Sequence, residues 1–281
     1  MPELPEVETI RRQLAPLVEG RRLERVEILD WRWSRPLAPR QLADALEGRR
    51  VQTLGRRGKY LVWNLEDDVH LVQHLRMTGA VLFDPDPEPP HTHVRIELGQ
   101  RHRLAIVDPR RFGTGELLIG HEALEAFFAA RLGLEPLDEL FTAEYLRAQA
   151  RGRTAPVKAF LLDQRRIAGV GNIYADEALF RAGIHPLRPA GRLSGEQYER
   201  LRETTIAALQ AGIDARGASI DDFRHVDGVR GSFQNQFLVH RREGEPCGTC
   251  GTTIVKMVVA GRGTYVCETC QPRPRRKRAR A

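Results

Sequence analysis

The sequence predicts an α+β protein in which an N-terminal helix and a β-sandwich precede a helical domain and a small cysteine-bound hairpin. Between residues 22 and 119, short stretches rich in β-branched and apolar residues alternate with turns, which is typical of a sandwich or a barrel. After about residue 121, the apolar residues recur at helical spacing. All four cysteines lie in the last 35 residues, and a length of 281 residues is enough for about two domains.

The first predicted element is a helix over residues 2–20. Pro5 fits its first turn, the apolar residues that follow fall on one helical face, and Gly20 is a plausible stop. Pro16 is expected to bend or shorten the last turn. Eight strands without intervening helices are predicted next, at 22–29, 51–54, 59–65, 69–75, 80–83, 93–98, 103–107 and 115–119.

Helices dominate the second half of the chain. Ser194 and Gln197 form a weak capping box for the last of them. Residues 216–236 carry many glycine and aspartate residues and are expected to form a mobile loop. The predicted helices are 121–131, 142–151, 155–162, 172–182 and 194–215.

The cysteines form two pairs that are 16 residues apart, Cys247-x2-Cys250 and Cys267-x2-Cys270. This spacing is typical of a tetrahedral zinc site. Because four thiolates leave no coordination position open for a substrate, we predict one structural zinc ion per chain. Two disulfides would be the alternative in a secreted protein, but the N-terminus is acidic where a signal peptide is basic.

A β-hairpin is predicted between the two cysteine pairs. Residues 252–259 and 264–266 are rich in β-branched residues, with Gly261-Arg262-Gly263 as the turn. The predicted divisions of the chain are a β-sandwich domain over 1–120, a helical domain over 121–240, a zinc finger over 241–271 and a basic disordered tail over 272–281.

The basic residues indicate a polyanionic partner. The formal net charge is +7 and the pI is about 9.6, although a solvated basic surface would give the same balance. Only four of the 44 basic residues are lysine, so Lys59 and Lys158 stand out as compact donors that fit a narrow site. No apolar run approaches about 18 residues, so no membrane span is expected.

The N-terminus carries a candidate nucleophile. Removal of Met1 would expose the secondary amine of Pro2, and an α-amino group with a pKa near ~8 is about a tenth neutral at pH 7. A neutral secondary amine forms a cationic imine with a sugar C1′ or an aldehyde. Glu3 and Glu6 are possible acid and base partners, although the same residues would also suit a helix that simply begins here.

Two further regions carry residues that suit nucleic acid. The Gly169-Val-Gly-Asn172 turn leads into a helix whose free N–H groups can bind phosphate, although Asn172 would also suit an ordinary N-cap. His74-Leu-Arg-Met-Thr-Gly79 and Asp108-Pro-Arg-Arg-Phe-Gly113 both lie between strands. Their Met, Arg and Phe side chains either wedge between bases and fill the gap left by an extruded base, or pack in a core.

From Pro2 to about Gln271, the chain closely resembles bacterial formamidopyrimidine-DNA glycosylases of the formamidopyrimidine-DNA glycosylase/endonuclease VIII family. The resemblance implies a catalytic N-terminal helix on the β-sandwich, a helix-two-turn-helix in the helical domain, and DNA in a basic cleft between the domains. The motifs that carry it, in the family's order, are Pro2-Glu-Leu-Pro-Glu-Val-Glu-Thr9, Arg56-Arg-Gly-Lys-Tyr60, His74-Leu-Arg-Met77, Asp108-Pro-Arg-Arg-Phe-Gly113, Gly169-Val-Gly-Asn-Ile-Tyr-Ala175 and the four cysteines.

The resemblance implies a bifunctional DNA glycosylase and abasic-site lyase that removes 8-oxoguanine and formamidopyrimidines from duplex DNA. Pro2 would attack C1′ of the damaged nucleotide, and Glu3 would protonate the sugar ring oxygen. The Schiff base would then permit β- and δ-elimination, while Lys59 would contact the lesion and its phosphate. The enzyme would be a monomer in the bacterial cytoplasm, associated with the nucleoid.

The resemblance also implies the residues that hold the DNA. Those that would contact it are His74, Met77, Arg110, Phe112, Lys158, Asn172 and Arg262. Of these, Met77, Arg110 and Phe112 would fill the void, with Arg110 facing the orphaned cytosine. Lys158, Asn172 and Arg262 would bind phosphates, and the loop around 219–232 would close over the flipped base.

Three features depart from the family pattern: His240-Arg241 in place of a tyrosine and a glycine, Thr78 where some members have a glutamate, and the basic tail. Two alternative functions are considered. An endonuclease VIII-type enzyme would prefer oxidised pyrimidines, but that branch typically has glycine at the position of Leu4. A non-catalytic zinc-ribbon DNA-binding protein would account for the charge and the cysteines but not for Pro2 and Glu3.

Overall fold

The structure, a computed structural model, describes residues 1–218, 226 and 231–274 and groups the chain into two units. The first comprises Met1–Arg131 and Gly212–Gln234, and the second comprises Leu132–Ala211 and Asn235–Ala281. The divisions predicted at 120 and 240 follow the chain order, whereas the segment from 212 to 234 belongs with the N-terminal unit. Most of the predicted loop at 219–232, and the predicted tail after residue 274, lie outside the described residues.

Helix α1 (Leu4–Val18) forms because its capping residues and its apolar face agree. Pro5 occupies its first turn, and the Glu6 carboxylate accepts a hydrogen bond from the Glu3 backbone N–H at 2.8 Å. Pro16 lies inside the last turn, and Gly20 just beyond it has φ +80°. The apolar face is buried except for Leu17, which is partly buried, and at about 1.5–3 kcal/mol per fully buried side chain this burial dominates the stability of the helix.

The predicted β-sandwich is present in the first unit as two antiparallel four-stranded sheets. Their strand orders are β1-β6-β7-β5 and β2-β3-β4-β8. The core side chains between the sheets include Trp63, whose Nε1 donates to Gln73 Oε1 at 3.1 Å inside the core. The strands are β1 (Leu23–Ile28), β2 (Val51–Arg57), β3 (Tyr60–Leu65), β4 (Val69–His74), β5 (Ala80–Phe83), β6 (Thr92–Leu98), β7 (His102–Val107) and β8 (Thr114–Ile119).

One helix contradicts the expectation of strands without intervening helices. Helix α2 (Pro39–Leu46) lies between β1 and β2. Pro39 is in its first turn, the Gln41 side chain accepts a hydrogen bond from the Ala38 N–H at 3.1 Å, and Leu42 is fully buried. The helix is only eight residues long, which is too short for its apolar spacing to be distinguished from a loop by sequence alone.

The remaining helices are close to their predicted ranges. Thr142 caps α4, because its Oγ1 accepts a hydrogen bond from the Tyr145 N–H at 3.1 Å. The predicted capping box of Ser194 and Gln197 is confirmed, with reciprocal hydrogen bonds of 3.0 and 3.2 Å. These helices are α3 (His121–Ala129), α4 (Ala143–Ala150), α5 (Val157–Leu162), α6 (Asn172–Arg181) and α7 (Gly195–Asp214).

The predicted hairpin is present in the second unit, with a shifted turn. Strands β9 (Val255–Val259) and β10 (Arg262–Val266) are joined by Ala260 and Gly261, which have φ +50° and +71°. Two consecutive residues with positive φ form the two-residue turn that matches the twist of a hairpin. Arg262 is therefore the first residue of β10 rather than a residue of the turn.

Candidate active site

The N-terminal end of α1 lies at the turn between β2 and β3. Three contacts show that α1 runs antiparallel to β2. They are Gly20 N to Val51 O at 2.8 Å, Leu54 N to Glu19 Oε1 at 2.8 Å, and Arg56 Nε to Glu8 Oε2 at 3.1 Å. Because the early helix residue meets the end of the strand, Pro2 and Glu3 lie toward the Gly58-Lys59 turn. Both are buried, and the Glu3 residue is 2% exposed.

The turn that carries Lys59 is held from both sides. Gly58 has φ +57°, a conformation that glycine adopts without strain. Arg56 donates from Nη1 to the Gly58 carbonyl at 3.0 Å and from Nε to Glu8. Lys59 itself is buried, with 4% of its surface exposed. A chain of hydrogen bonds thus links helix α1 to the backbone that carries Lys59.

The Glu8 carboxylate holds Arg56, which in turn holds the turn that carries Lys59. It accepts hydrogen bonds from Arg11, Arg12 and Arg56, and its surface is 8% exposed. Burial alone would raise the pKa of Glu8, but the hydrogen bonds from Arg11 and Arg12 and the charges of Arg11 and Arg56 lower it to about 2. The carboxylate is therefore ionised at neutral pH and fixes the arginine beside the Lys59 turn.

A second buried carboxylate, Glu6, connects Glu3 to a distant part of the same unit. Its Oε2 accepts from the Glu3 N–H and its Oε1 accepts from the Ala218 N–H, both at 2.8 Å. Gly217 has φ +75°, and a Cβ there would lie 2.9 Å from Glu6 Cγ. A Cβ on Gly231 would lie 2.3 Å from the Gly217 carbonyl oxygen. Both ends of the segment between 217 and 231 are thus packed tightly beside the start of α1.

His74 is placed close to the same turn, because Tyr60 pairs with His74 across β3 and β4. Burial, together with the charges of Arg76 and Lys59, lowers the pKa of His74 to about 3. Its Nδ1 accepts a hydrogen bond from the Arg76 N–H at 2.9 Å, so the proton of the neutral ring is on Nε2. His74 can offer a neutral N–H donor to a ligand, but not a positive charge.

Two loops that carry Met77, Arg110 and Phe112 come together by strand register. One loop connects β4 to β5 and the other connects β7 to β8, so both cross from one sheet to the other. His74 pairs with Thr114 on one sheet and Ala80 pairs with Val107 on the other. The loops therefore run side by side, at the end of the sandwich that carries Lys59. The three side chains are solvent-accessible, with 36% of Met77 and 51% of Phe112 exposed, and Arg110 exposed.

The second unit places Lys158 in its interior, away from solvent. The Lys158 side chain has no exposed area. Nζ donates to Asp176 Oδ1 at 2.7 Å, to Thr264 Oγ1 at 2.7 Å and to the Gly263 carbonyl at 3.2 Å. An ammonium group carries three protons, and these acceptors suffice for all three. Lys158 braces α5, α6 and β10, and its contact with a phosphate stays a prediction.

Asn172 and Arg262 meet at the same strand. Gly171 is the N-cap of α6, so the interpretation of Asn172 as an N-cap was wrong, and its Nδ2 instead donates to the Gly263 carbonyl at 3.0 Å. Among the described residues, the buried Oδ1 of Asn172 has no hydrogen-bond partner. Arg262, immediately before Gly263, is exposed. Lys158 and Asn172 therefore fix the strand that presents Arg262 to solvent.

Sequence reasoning missed two buried carboxylates on α6 that organise the chain before the hairpin. Asp176 Oδ2 accepts from His240 Nδ1 at 2.8 Å, and Glu177 accepts from the backbone N–H groups of Leu238, Val239 and His240, each at 3.0 Å. Both carboxylates are fully buried. The available signal was an adjacent acidic pair inside an otherwise apolar helix, since buried charges require partners.

The four cysteines form a metal site. Their Sγ atoms lie within 4.8 Å of one another, and a tetrahedral zinc with Zn–S bonds of about 2.3 Å separates its sulfurs by about 3.8 Å. A hydrogen bond from Thr252 lowers the pKa of Cys250 to about 6, whereas burial raises the pKa of Cys270. A bound cation would hold all four as thiolates. The donor set fits one structural zinc ion, and its members are Cys247, Cys250, Cys267 and Cys270.

Among the helices of the described residues, none has the length and apolar character that a membrane span needs.

Three protein-family models match the chain. Residues 1–115 match the formamidopyrimidine-DNA glycosylase N-terminal domain, and residues 132–224 match the formamidopyrimidine-DNA glycosylase H2TH domain. Residues 244–273 match a zinc finger found in FPG and IleRS.

Curated relatives match over nearly the whole chain. A formamidopyrimidine-DNA glycosylase of Desulfitobacterium hafniense is 44% identical over 276 residues, which is 96% of this chain and 100% of the relative. A formamidopyrimidine-DNA glycosylase of Parasynechococcus marenigrum is 46% identical over 285 residues, with the same coverage.

Solved structures agree with this similarity. The crystal structure of the MutM (FPG) protein from Thermus thermophilus has a TM-score of 0.88 and 43% identity, covering 98% of this chain and 100% of that one. A Lactococcus lactis FPG mutant in complex with Fapy-dG-containing DNA has a TM-score of 0.91 and 36% identity, covering 97% of this chain and 100% of that one.

Proposed function

Because the chain belongs to the formamidopyrimidine-DNA glycosylase family, we propose that it excises oxidised purines from duplex DNA and then cleaves the abasic site. The observation that carries this proposal is the convergence, at one end of the first unit, of the start of α1, the Lys59 turn and the two crossover loops. A nucleophile, a possible acid, a cation and gap-filling side chains thus come from separate parts of the chain to one place.

Pro2 and Glu3 carry the chemistry in this proposal. The Pro2 amine attacks C1′ of the damaged nucleotide, the glycosidic bond breaks, and the base leaves with the bonding electron pair and takes up the proton that the amine loses. Glu3 then donates a proton to the sugar ring oxygen, so that the bond between C1′ and that oxygen breaks and a cationic imine of Pro2 forms. The Glu6 carboxylate holds the Glu3 backbone, so the proton donor starts from a fixed position. Elimination of both phosphates from the imine then removes the sugar.

The remaining residues hold and open the duplex. Lys59 supplies a buried positive charge near the lesion phosphate, and His74 supplies a neutral N–H donor. A base must leave the stack before its C1′ can be attacked, and Met77, Arg110 and Phe112 fill the space that it leaves. In the second unit, Arg262 is the exposed phosphate donor.

The direct test is borohydride trapping on a duplex that contains 8-oxoguanine. Reduction of an imine joins the enzyme covalently to DNA, and peptide mass spectrometry should place the adduct on Pro2. An adduct on Lys59, or full activity from protein that retains Met1, would contradict the assignment. No adduct at all would favour the non-catalytic zinc-ribbon alternative.

A lesion panel tests the substrate class. We expect faster excision of 8-oxoguanine and formamidopyrimidines than of oxidised pyrimidines, and the reverse order would favour an endonuclease VIII-type activity. The proposed enzyme acts as a monomer in the bacterial cytoplasm on nucleoid DNA. Sedimentation of the free protein and of its DNA complex would check its oligomeric state.

A further inference from the structure

Among the described contacts of the first unit, the side chain of one threonine links the two crossover loops. We propose that Thr78 is a positioning residue that locks the Met77 loop to the loop carrying Arg110 and Phe112, so that the three side chains enter DNA as one unit. This inference rests on the proposed function and concerns how the duplex is opened rather than the chemistry at Pro2.

The Asp108 carboxylate is the centre of the second loop. It is 2% exposed, and its Oδ2 accepts from the backbone N–H groups of Phe112 at 2.8 Å and Gly113 at 2.7 Å. Its Oδ1 accepts from the Arg110 N–H at 3.2 Å. A carboxylate with several backbone donors fixes a turn rigidly, because each donor would otherwise be unsatisfied. This carboxylate therefore sets the backbone from which Arg110 and Phe112 project.

The first loop reaches this carboxylate through Thr78 alone among the described contacts. Thr78 Oγ1 donates a hydrogen bond to Asp108 Oδ1, and it also accepts from the Arg110 N–H at 3.3 Å. The hydroxyl is thus a donor and an acceptor at once, and both of its partners belong to the other loop. Thr78 directly follows Met77, so the same contact fixes the backbone beside that side chain.

Each loop is also tightly turned within itself. A Cβ on Gly79 would lie 2.4 Å from the Leu75 carbonyl oxygen, and a Cβ on Gly113 would lie 3.2 Å from Asp108 Oδ2. The Arg110 guanidinium lies 5.1 Å from the centre of the Phe112 ring. The bonds of Thr78 to Asp108 and to the Arg110 N–H therefore hold together the backbones that carry Met77, Arg110 and Phe112.

The reason for such a lock is the cost of opening the duplex. Extruding a base from the stack is unfavourable, and side chains that enter the gap offset this cost best when they are already ordered. Loosely held Met, Arg and Phe side chains would lose conformational freedom on entry. A hydroxyl that joins the loops in the free protein avoids part of that loss.

The experiment compares Thr78→Val, which keeps the shape and removes the hydroxyl, with Thr78→Ser, which keeps the hydroxyl. Each variant is measured in single turnover on 8-oxoguanine paired in a duplex, and on the same lesion in an unpaired bubble where no extrusion is needed. We expect Thr78→Val to excise the paired lesion about five- to tenfold more slowly, the effect of one lost hydrogen bond, and to act on the bubble within about twofold of wild type. Thr78→Ser should match wild type on both.

Two outcomes would overturn the inference: an equal loss on duplex and bubble, or no loss on the duplex. Thr78→Ala provides a second loss variant if Thr78→Val proves unstable, with melting temperature as the check on folding. Wild-type trapping by borohydride is measured in parallel. If the wild type forms no adduct, the proposed function fails. If the wild type forms the adduct but the Thr78→Val variant excises the paired lesion at the wild-type rate, the proposed function stands and only the positioning role of Thr78 is wrong.

Discussion

The Glu3 carboxylate stands on a backbone that buried groups hold in place. Glu6 fixes the Glu3 N–H at 2.8 Å, and Pro2 and Glu3 are themselves buried. The position of the proton donor is therefore set before DNA binds, which is what a general acid requires. The local sequence placed Glu3 and Glu6 side by side as possible acid and base partners, but it could not show that one oxygen of Glu6 caps the Glu3 N–H and the other reaches Ala218, more than 200 residues away.

Glu3→Gln tests the acid role. Glutamine keeps the size of the side chain but has no carboxyl proton to donate. We expect lesion binding to remain and base excision to fall at least about a hundredfold, the usual range for losing an acid–base group. Cleavage of a preformed abasic site should be retained in part, because that sugar already opens spontaneously. Comparable losses on lesion and abasic substrates would argue against a specific role in base release.

The lowered pKa of Glu8 predicts how the free energy of unfolding changes in acid. Its folded pKa of about 2 lies below the ordinary value of 4.5, so its contribution is fully present above about pH 4.5 and is lost as the pH falls toward 2. After allowance for solvent screening, we expect about 1–2 kcal/mol. Glu8→Gln should lower the free energy of unfolding at pH 7 and flatten its decline between pH 5 and pH 2. Glu24→Gln, an exposed carboxylate on β1, is the matched control and should change neither.

Elements with repeated patterns were predictable, and elements defined by a few contacts were not. The eight strands follow from alternation of apolar and polar residues, and α1 follows from its apolar face and Pro5. Helix α2 was missed because eight residues hold too few periods. The interior position of Lys158 was also hidden, because nothing in the local sequence of α5 reveals acceptors on α6 and β10.

Lys158, which is buried against β10, and Arg262, which is exposed on β10, are expected to affect stability and DNA binding differently. Lys158→Met removes a buried cation from Asp176 and should destabilise the protein by about 3–5 kcal/mol. It should leave the salt dependence of DNA binding almost unchanged, because its ammonium is not exposed. Arg262→Gln should keep the melting temperature and lower the slope of log K against log salt by about 0.9, one phosphate contact. A Lys158→Met variant with wild-type stability and a reduced slope would restore the direct phosphate role.

The folding of the β9–β10 hairpin is expected to depend on bound zinc. Cys250→Ser removes one of four thiolates, so we expect the zinc content to fall well below the one ion per chain of the wild type and DNA binding to be lost with it. Metal analysis and protection of β9 and β10 in hydrogen exchange are the measurements. Thr252→Val is the control, because it removes the hydrogen bond to Cys250 without removing a ligand and should keep the zinc at pH 7. A disulfide map in place of bound metal would contradict the site.

At the scale of the whole molecule, a late segment of the chain packs against the N-terminal residues. The segment at 212–234 belongs with the N-terminal unit, through contacts such as Ala218 to Glu6. Divisions drawn along the sequence cannot detect this packing, because it depends on one carboxylate and on glycines with no room for a side chain. Two buried hydrogen bonds of Glu6 therefore connect the first residues of the chain to a late segment.

The basic residues at the C-terminal end of the chain are expected to strengthen binding to DNA of any sequence. The formal net charge is +7, and the last seven residues after Pro274 include five basic ones. Released counterions scale with the phosphates that a protein neutralises. We expect truncation after Pro274 to weaken binding to undamaged duplex and to lower the slope of log K against log salt by up to about 4.5, depending on how many of the five contact phosphate.

Lesion preference should survive the truncation, because the Pro2 end of α1 and the crossover loops are unchanged. A full-length variant with the five basic residues replaced by glutamine separates charge from chain length, and it should behave like the truncated protein. Titrations between about 50 and 200 mM salt on lesion and undamaged duplexes give both slopes. If the truncated protein keeps the wild-type slope, the tail does not contact DNA. A change in the ratio of the two affinities would instead assign the tail a part in lesion recognition.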